Sequence, residues 1–366
     1  MIYLYQREDW PNFTWKEDKI INLLAEVRNL QGRILGRMES LGFELRQEAT
    51  LETITLDVLK SSEIEGEILN PAQVRSSIAR RIGMELAGVV PSDRDVDGIV
   101  EMMIDATQNC YDPISAERLF DWHAALFPTG RSGLYKIKVA DWRLDDAGPM
   151  QVVSRTLGKE KIHFQAPDAI LVANEMNQFI DWFNSQLEID GVLKAAVAHL
   201  WFITIHPFAD GNGRIARALT DMLLARADRS KQRFYSISAQ IRTDRTPYYE
   251  ILEQTQKGQM DITLWLLWFL NCLKSAFYST DAVLDKVLFK ADFWKKNIAV
   301  LMNERQQKMI NKILDHFEGK LTSDKWAKLC KCSKDTAIRD INDLIEKNIL
   351  CKEDAGGRST HYVLNN

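Results

Sequence analysis

Cysteine is scarce in this chain of 366 residues: Cys110, Cys272, Cys330, Cys332 and Cys351 are scattered and odd in number. That excludes a disulfide scaffold and suits a reducing compartment. Cys330 and Cys332 have no second pair and no histidine at ligand spacing, so no zinc site is expected. Long apolar runs are missing too. The richest stretches, Ile262 to Leu273 and Val192 to Ile205, fall short of the roughly 20 residues that cross a bilayer. The opening MIYLYQREDWPNF lacks a basic stretch leading into an apolar run, so no signal peptide is expected and the expected location is cytoplasmic. Neither sign of charge dominates: 47 Lys and Arg stand against 51 Asp and Glu, a net charge of −4. That balance argues against a chain devoted to nucleic acid.

What the chain does have is helical periodicity. Apolar residues from Ile20 to Leu41 recur at three and four, as do those of Leu51 to Leu69, where Pro71 predicts the end of a second helix. Further helices are expected between Ile99 and Phe127, at Pro167 to Phe183, at Val192 to Ile205, after Asn212 and at Tyr248 to Phe277. Alternating runs at Tyr135 to Arg143 and Gln151 to Phe164, with Gly148 and Pro149 between them, predict a hairpin. From Glu304 the order helix, helix, turn, helix and a wing around Gly356 and Gly357 outlines a winged helix-turn-helix. The fold expected is mainly α: a helical region 1–93, a helical core 94–285 with one inserted β-hairpin, a linker or connecting helix 286–303, and a small domain 304–366.

The stretch that carries chemistry is His206-Pro-Phe-Ala-Asp-Gly-Asn-Gly-Arg-Ile-Ala-Arg217. Pro207 cannot comfortably continue the preceding helix, which leaves His206 at the mouth of a loop. Gly211 and Gly213 allow close approach of an anion, and the amides around Asn212 and Gly213 open the next helix, where phosphates bind readily. Arg214 and Arg217, three apart, project from one side of its first turn and suggest a polyphosphate. Asp210 offers a hard oxygen that, with phosphate oxygens and waters, completes a Mg2+ shell. Phe208 is expected to point inward and anchor the loop. By average residue frequencies these constrained positions coincide by chance in roughly one such chain in tens of millions.

This stretch resembles the Fic family signature, His-x-Phe-x-(Asp or Glu)-Gly-Asn-Gly-Arg-x-x-Arg, at every fixed position. The resemblance implies a helical enzyme that transfers AMP from ATP to Ser, Thr or Tyr hydroxyls and releases pyrophosphate. It implies His206 as general base, Asp210 as magnesium ligand, Asn212 and Gly213 in the anion hole, Arg214 on the β-phosphate and Arg217 on the γ-phosphate. It also places residues 134–164 as a flap that holds the target, its tip expected at Gly148, Pro149, Met150 and Gln151, and Tyr248 and Tyr249 beside the adenine or in a core helix.

Upstream, Ser61-Ser-Glu-Ile-Glu65-Gly66 fits the pattern (Ser or Thr)-x-x-x-Glu-(Gly or Asn) of the inhibitory helix of many Fic proteins. The resemblance implies that Glu65 pairs with Arg217 in place of the γ-phosphate, so that the enzyme rests inhibited and, once released, modifies itself as well. Removal of AMP from targets, or another phosphoryl transfer, is an alternative. So is a DNA-binding regulator with a nucleotide-sensing core. Residues 304–366 hold 12 Lys and Arg against 10 Asp and Glu, a weak basis for DNA binding, and a docking or packing role is preferred. A homodimer is expected on general frequency.

Overall fold

The computed structural model describes residues 2–85, 89–145, 148–156, 159–186, 188–317, 319–353 and 360–365. It divides into two compact units, Met1–Met84 with Val90–Val283 and Glu85–Val89 with Leu284–Asn366.

The first unit runs through α1 (Glu17–Glu39), α2 (Phe43–Ile64), α3 (Pro71–Arg81), α4 (Arg94–Gln108) and α5 (Ala116–Leu126). Short strands β1 (Arg131–Ser132) and β2 (Tyr135–Lys136) pair, as do β3 (Gln151–Thr156) and β4 (Lys159–Gln165). There follow α6 (Ala169–Asn184), α7 (Gly191–Ile205), α8 (Asn212–Asp228), α9 (Ile237–Thr243), α10 (Arg245–Gln256) and α11 (Thr263–Lys296). α7 is apolar on every side, and a helix of that kind belongs inside. Val192, Leu200, Phe202 and Ile205 are wholly buried, and α8 packs against it with Ile215, Leu219 and Met222 equally enclosed.

Several expected boundaries move. α2 stops at Ile64, before the predicted end, and Pro71 opens α3 instead of closing α2. Proline suits a first helical position, where its missing N–H has no partner to lose. The Asn70 side chain caps α3 by accepting from the Ala72 and Gln73 amides. The single stretch expected at Tyr248 to Phe277 is cut after Gln256: Asp261 caps Thr263, and the Ile262 N–H donates to the Thr14 carbonyl at 2.8 Å. Only Tyr135 and Lys136 of the first alternating run are strand. In the long hairpin Gln151 pairs with Gln165 at one end and Thr156 with Lys159 at the other, so Gly148 to Gln151 lie at its open end and not at its tip, with the Ala166 N–H on the Met150 carbonyl.

In the second unit the end of α11 is followed by α12 (Glu304–His316), α13 (Ser323–Cys330), α14 (Lys334–Glu346) and the antiparallel pair β5 (Leu350–Lys352) and β6 (Tyr362–Leu364). Met309, Ile310, Trp326, Ile341 and Leu344 form its core. Gly356 and Gly357 lie outside the described residues. Lys334 pairs with Asp324 and Arg305 with Asp340, each at 2.8 Å, which spends basic charge that phosphates would need.

Candidate active site

Proline keeps the residue before it out of the right-handed helical region. His206 accordingly leaves α7 in the left-handed one (φ 53°, ψ 57°), while its N–H still reaches the Phe202 carbonyl at 2.9 Å. A residue with a side chain is strained there by about 1–2 kcal/mol, so its surroundings must hold it. Arg143 does so. Its buried side chain donates through Nε to the His206 carbonyl at 2.8 Å and through Nη1 to Asp145 at 2.7 Å, and its backbone N–H donates to the Pro207 carbonyl at 2.9 Å. Phe208 is fully buried and stacks on His123 with ring centres 4.3 Å apart, the inward anchor expected of it.

The Asn212 side chain closes on the same loop, accepting from the Phe208 N–H at 2.9 Å and donating to its carbonyl at 2.8 Å. Asn212 therefore enters the cradle through its backbone. No side chain among the described residues caps α8, and Gly211 adopts φ 81° at its start. An uncapped first turn leaves its amides without helical acceptors, an arrangement that attracts anions.

The two arginines that rise from this turn are both held by carboxylates. Arg217 is almost fully buried. Its Nε donates to the Ser61 hydroxyl at 2.8 Å, and its Nη2 to the Ser61 carbonyl at 2.9 Å and to Glu65 Oε1 at 2.8 Å. A β-carbon on Gly213 would lie 2.1 Å from that same Oε1, so the carboxylate fills the space over the missing side chain. Arg214 lies over the Phe127 ring at 5.1 Å and donates through Nη1 to Glu67 Oε2 at 2.8 Å. Sequence reasoning reached Glu65 but not Glu67.

The end of α2 explains why both glutamates face α8. Glu65 caps the helix and Gly66 turns left-handed at φ 87°. The Gly66 N–H then donates to the Glu63 carbonyl at 3.2 Å and the Glu67 N–H to the Ser62 carbonyl at 3.0 Å. These two bonds make a Schellman cap, which requires a residue free to adopt positive φ. Arg245 of α10 fixes the last helical carbonyl, that of Ile64, at 3.0 Å.

The His206 Nδ1 lies 3.3 Å from the Ile203 carbonyl, which can only accept. Nδ1 thus carries the hydrogen and Nε2 keeps its lone pair. Burial pushes the ring pKa down to about 4, and the nearby Arg143 charge adds to this against the opposing pull of Glu65 and Asp210. The ring is neutral at physiological pH. Asp210 accepts from the Gly211 N–H at 2.6 Å and from the Ser132 hydroxyl of β1. A partly exposed carboxylate with a hydroxyl beside it is a hard-oxygen set that fits Mg2+.

Tyr248 is a core residue. Its hydroxyl meets His199 Nε2 at 2.8 Å, and His199 Nδ1 meets Thr220 at 2.9 Å, all of them buried. Tyr249 is the exposed member of the pair, with Arg245 over its ring at 5.4 Å.

Residues 113–224, which span this loop and both arginines, match the model of the Fic/DOC family. The chain carries a Fic domain. Residues 3–84 match a second model, Domain of unknown function (DUF4172). Among curated relatives, the protein adenylyltransferase fic-1 of Caenorhabditis elegans is 27% identical over 220 residues, 57% of this chain and 38% of that protein. The protein adenylyltransferase Fic of Nematostella vectensis is 38% identical over 88 residues, 24% of this chain and 19% of that protein. The chain thus spans well under half the length of these relatives. A crystal structure of a Fic family protein from Desulfovibrio desulfuricans shares the fold, with a TM-score of 0.54 at 20% identity, covering 97% of this chain and 98% of that one. No helix among the described residues of this Fic-domain protein is long and apolar enough to cross a membrane.

Proposed function

We propose that this Fic-domain protein is a protein adenylyltransferase, moving AMP from ATP to Ser, Thr or Tyr hydroxyls of target proteins, and that it rests in an inhibited state. The observation that carries the reading is a neutral imidazole with a free Nε2 next to an uncapped helix turn bearing two buried arginines. The relatives named as protein adenylyltransferases support the direction of transfer.

In the reaction the target hydroxyl gives its proton to His206 Nε2 as its oxygen attacks the α-phosphorus. The bond from that phosphorus to the bridging oxygen breaks and pyrophosphate leaves. Arg214, Arg217 and the amides of the α8 turn take up the charge that collects on it. Asp210 and Ser132 would hold Mg2+, which supplies further positive charge beside the phosphates when bound. At rest, Glu65 and Glu67 stand on both arginines as internal anions, so that a nucleotide must displace them to bind productively.

The test uses the Glu65→Gly variant with ATP labelled at the α-phosphate, magnesium and a cell lysate. Target proteins gain the mass of AMP, and His206→Ala abolishes the gain. Gain of a phosphate mass alone, or labelling that survives His206→Ala, overturns the reading.

A further inference from the structure

His123 of α5 is wholly buried and touches the loop from His206 to Arg217 by more than its stack on Phe208. Its ring also meets that of Phe127 edge-on, with centres 5.0 Å apart. Phe127 in turn supports the start of α8: a β-carbon on Gly211 would stand 2.9 Å from its ring, and the Arg214 guanidinium lies over it. One imidazole thus backs both the anchor of the loop and the turn that bears the arginines.

The ring's hydrogen is fixed by its partner. The Ala140 N–H donates to His123 Nδ1 at 3.2 Å. In the neutral ring Nδ1 therefore accepts and Nε2 carries the hydrogen, the reverse of the His206 tautomer. That buried Nε2–H has no hydrogen-bond partner among the described residues. A buried donor is seldom left so. The main chain of Asp210 bears on the same ring, and a carbonyl there can only accept. The His206 end of the loop is already tied by Arg143 and its middle by the Asn212 side chain on Phe208. Asp210 is the part of the loop that His123 can still tie.

We propose that His123 is a positioning residue for the Asp210 carboxylate: its Nε2–H closes on the Asp210 carbonyl in the nucleotide-loaded protein and fixes the direction in which the side chain points. The inference rests on the adenylyltransferase reading and on Asp210 as the residue that holds Mg2+. Hydrogen bonds of an active site are often open before ligands arrive and tighten in the loaded state. A carboxylate whose main chain is tied from behind has less freedom to lose when it ligates. Partners of this kind contribute about 10–100-fold to metal affinity or activity. The stack on Phe208 holds the ring in place, and the free N–H does the aiming.

The experiment uses the full-length Glu65→Gly chain and adds His123→Phe, which keeps an aromatic ring on Phe208 and removes the N–H, or His123→Gln, which returns an N–H donor. Calorimetry measures the affinity for a non-hydrolysable ATP analogue with Mg2+ and with a chelator. His123→Phe is expected to weaken binding about tenfold or more with Mg2+ and not in the chelator, and His123→Gln to recover most of the loss. A merely structural role weakens both conditions alike, and that result overturns the proposal. So does full affinity of His123→Phe in Mg2+. A second measurement needs no change at position 123. The His123 Nε2 proton, followed by NMR with labelled histidine, is expected to move downfield when the analogue and Mg2+ are added together, and to stay in place when Asp210→Ala is present. A proton that does not move in the Glu65→Gly chain overturns the proposal even if the position 123 variants fail to fold. Labelling of lysate proteins by that chain alongside either negative result leaves the adenylyltransferase reading standing, whereas absence of all AMP transfer overturns both.

Discussion

Glu65 Oε1 lies 2.8 Å from Arg217 Nη2, and it reaches that position across 152 residues of chain. Hydrogen bonds to charged partners contribute about 1.5–3 kcal/mol, and less where one partner keeps water access, as Glu65 does. Glu65→Gly is therefore expected to raise the rate of AMP transfer about tenfold or more. Unchanged incorporation from labelled ATP by the purified variant contradicts the inhibitory role.

Glu67 holds the other arginine from a more exposed position, with its side chain half open to solvent against 6% for Arg214. Its removal should act on binding more than on chemistry. Glu67→Ala is expected to tighten binding of pyrophosphate or ATP a few-fold, about 1 kcal/mol or less, and calorimetric titration measures it. Equal affinity in variant and parent removes Glu67 from the inhibitory device.

His206→Ala should leave nucleotide binding in place while transfer drops by about two to four orders of magnitude, the usual worth of a positioned base. Binding and turnover measured on the same preparation separate these effects. A loss of both points to collapse of the loop instead.

Burial lowers His123 and His206 to about 4 and His199 to about 3. An unfolded histidine titrates near 6.5, so between these values the unfolded chain binds protons that the folded chain refuses. The stability these rings contribute is present above pH 6.5 and is lost as pH falls toward 4. Burial raises Asp57, Asp221 and Asp228 and works in the opposite sense, so ring titration by NMR isolates the histidines better than a melting curve. The His206 ring is expected to stay neutral at pH 6; a midpoint near 6.5 refutes this.

Arg143 reaches the His206 carbonyl, the Pro167 carbonyl and Asp145 from a buried position. Arg143→Met takes this donor from both carbonyls and leaves Asp145 with the Ala169 N–H. It is expected to cost about 3–5 kcal/mol, seen as a lower denaturation midpoint. A variant as stable as the parent means that the left-handed His206 is held by Pro207 and Phe208 alone.

The loop from His206 to Arg217 was legible in the sequence because its residues are contiguous and their spacing is strict. Glu65 was legible because a short pattern surrounds it. Glu67, Arg143 and Ser132 were not, since each is one polar residue whose partner lies 63 to 147 positions away. The contact of His163 with Glu253 was hidden for the same reason, and because a bulge breaks the alternation that would have placed His163 on a face. Gly148 and Pro149 misled by composition. They make a bend at the open end of the hairpin, where turn residues are as much at home as at its tip. Tyr248 shows the limit of reading aromatic residues one by one, since its burial is decided by His199 and Thr220 from other helices.

The space above Gly213 restricts how the protein can be altered. The Glu65 carboxylate already lies where a β-carbon would stand, and under the proposed mechanism a terminal phosphate needs the same volume. No replacement at 213 can shut out the glutamate and still admit the nucleotide. Variants that relieve inhibition while keeping activity must therefore arise on the α2 side, within Ser61 to Glu67. In a selection for active chains, position 213 should remain unchanged while that short segment varies.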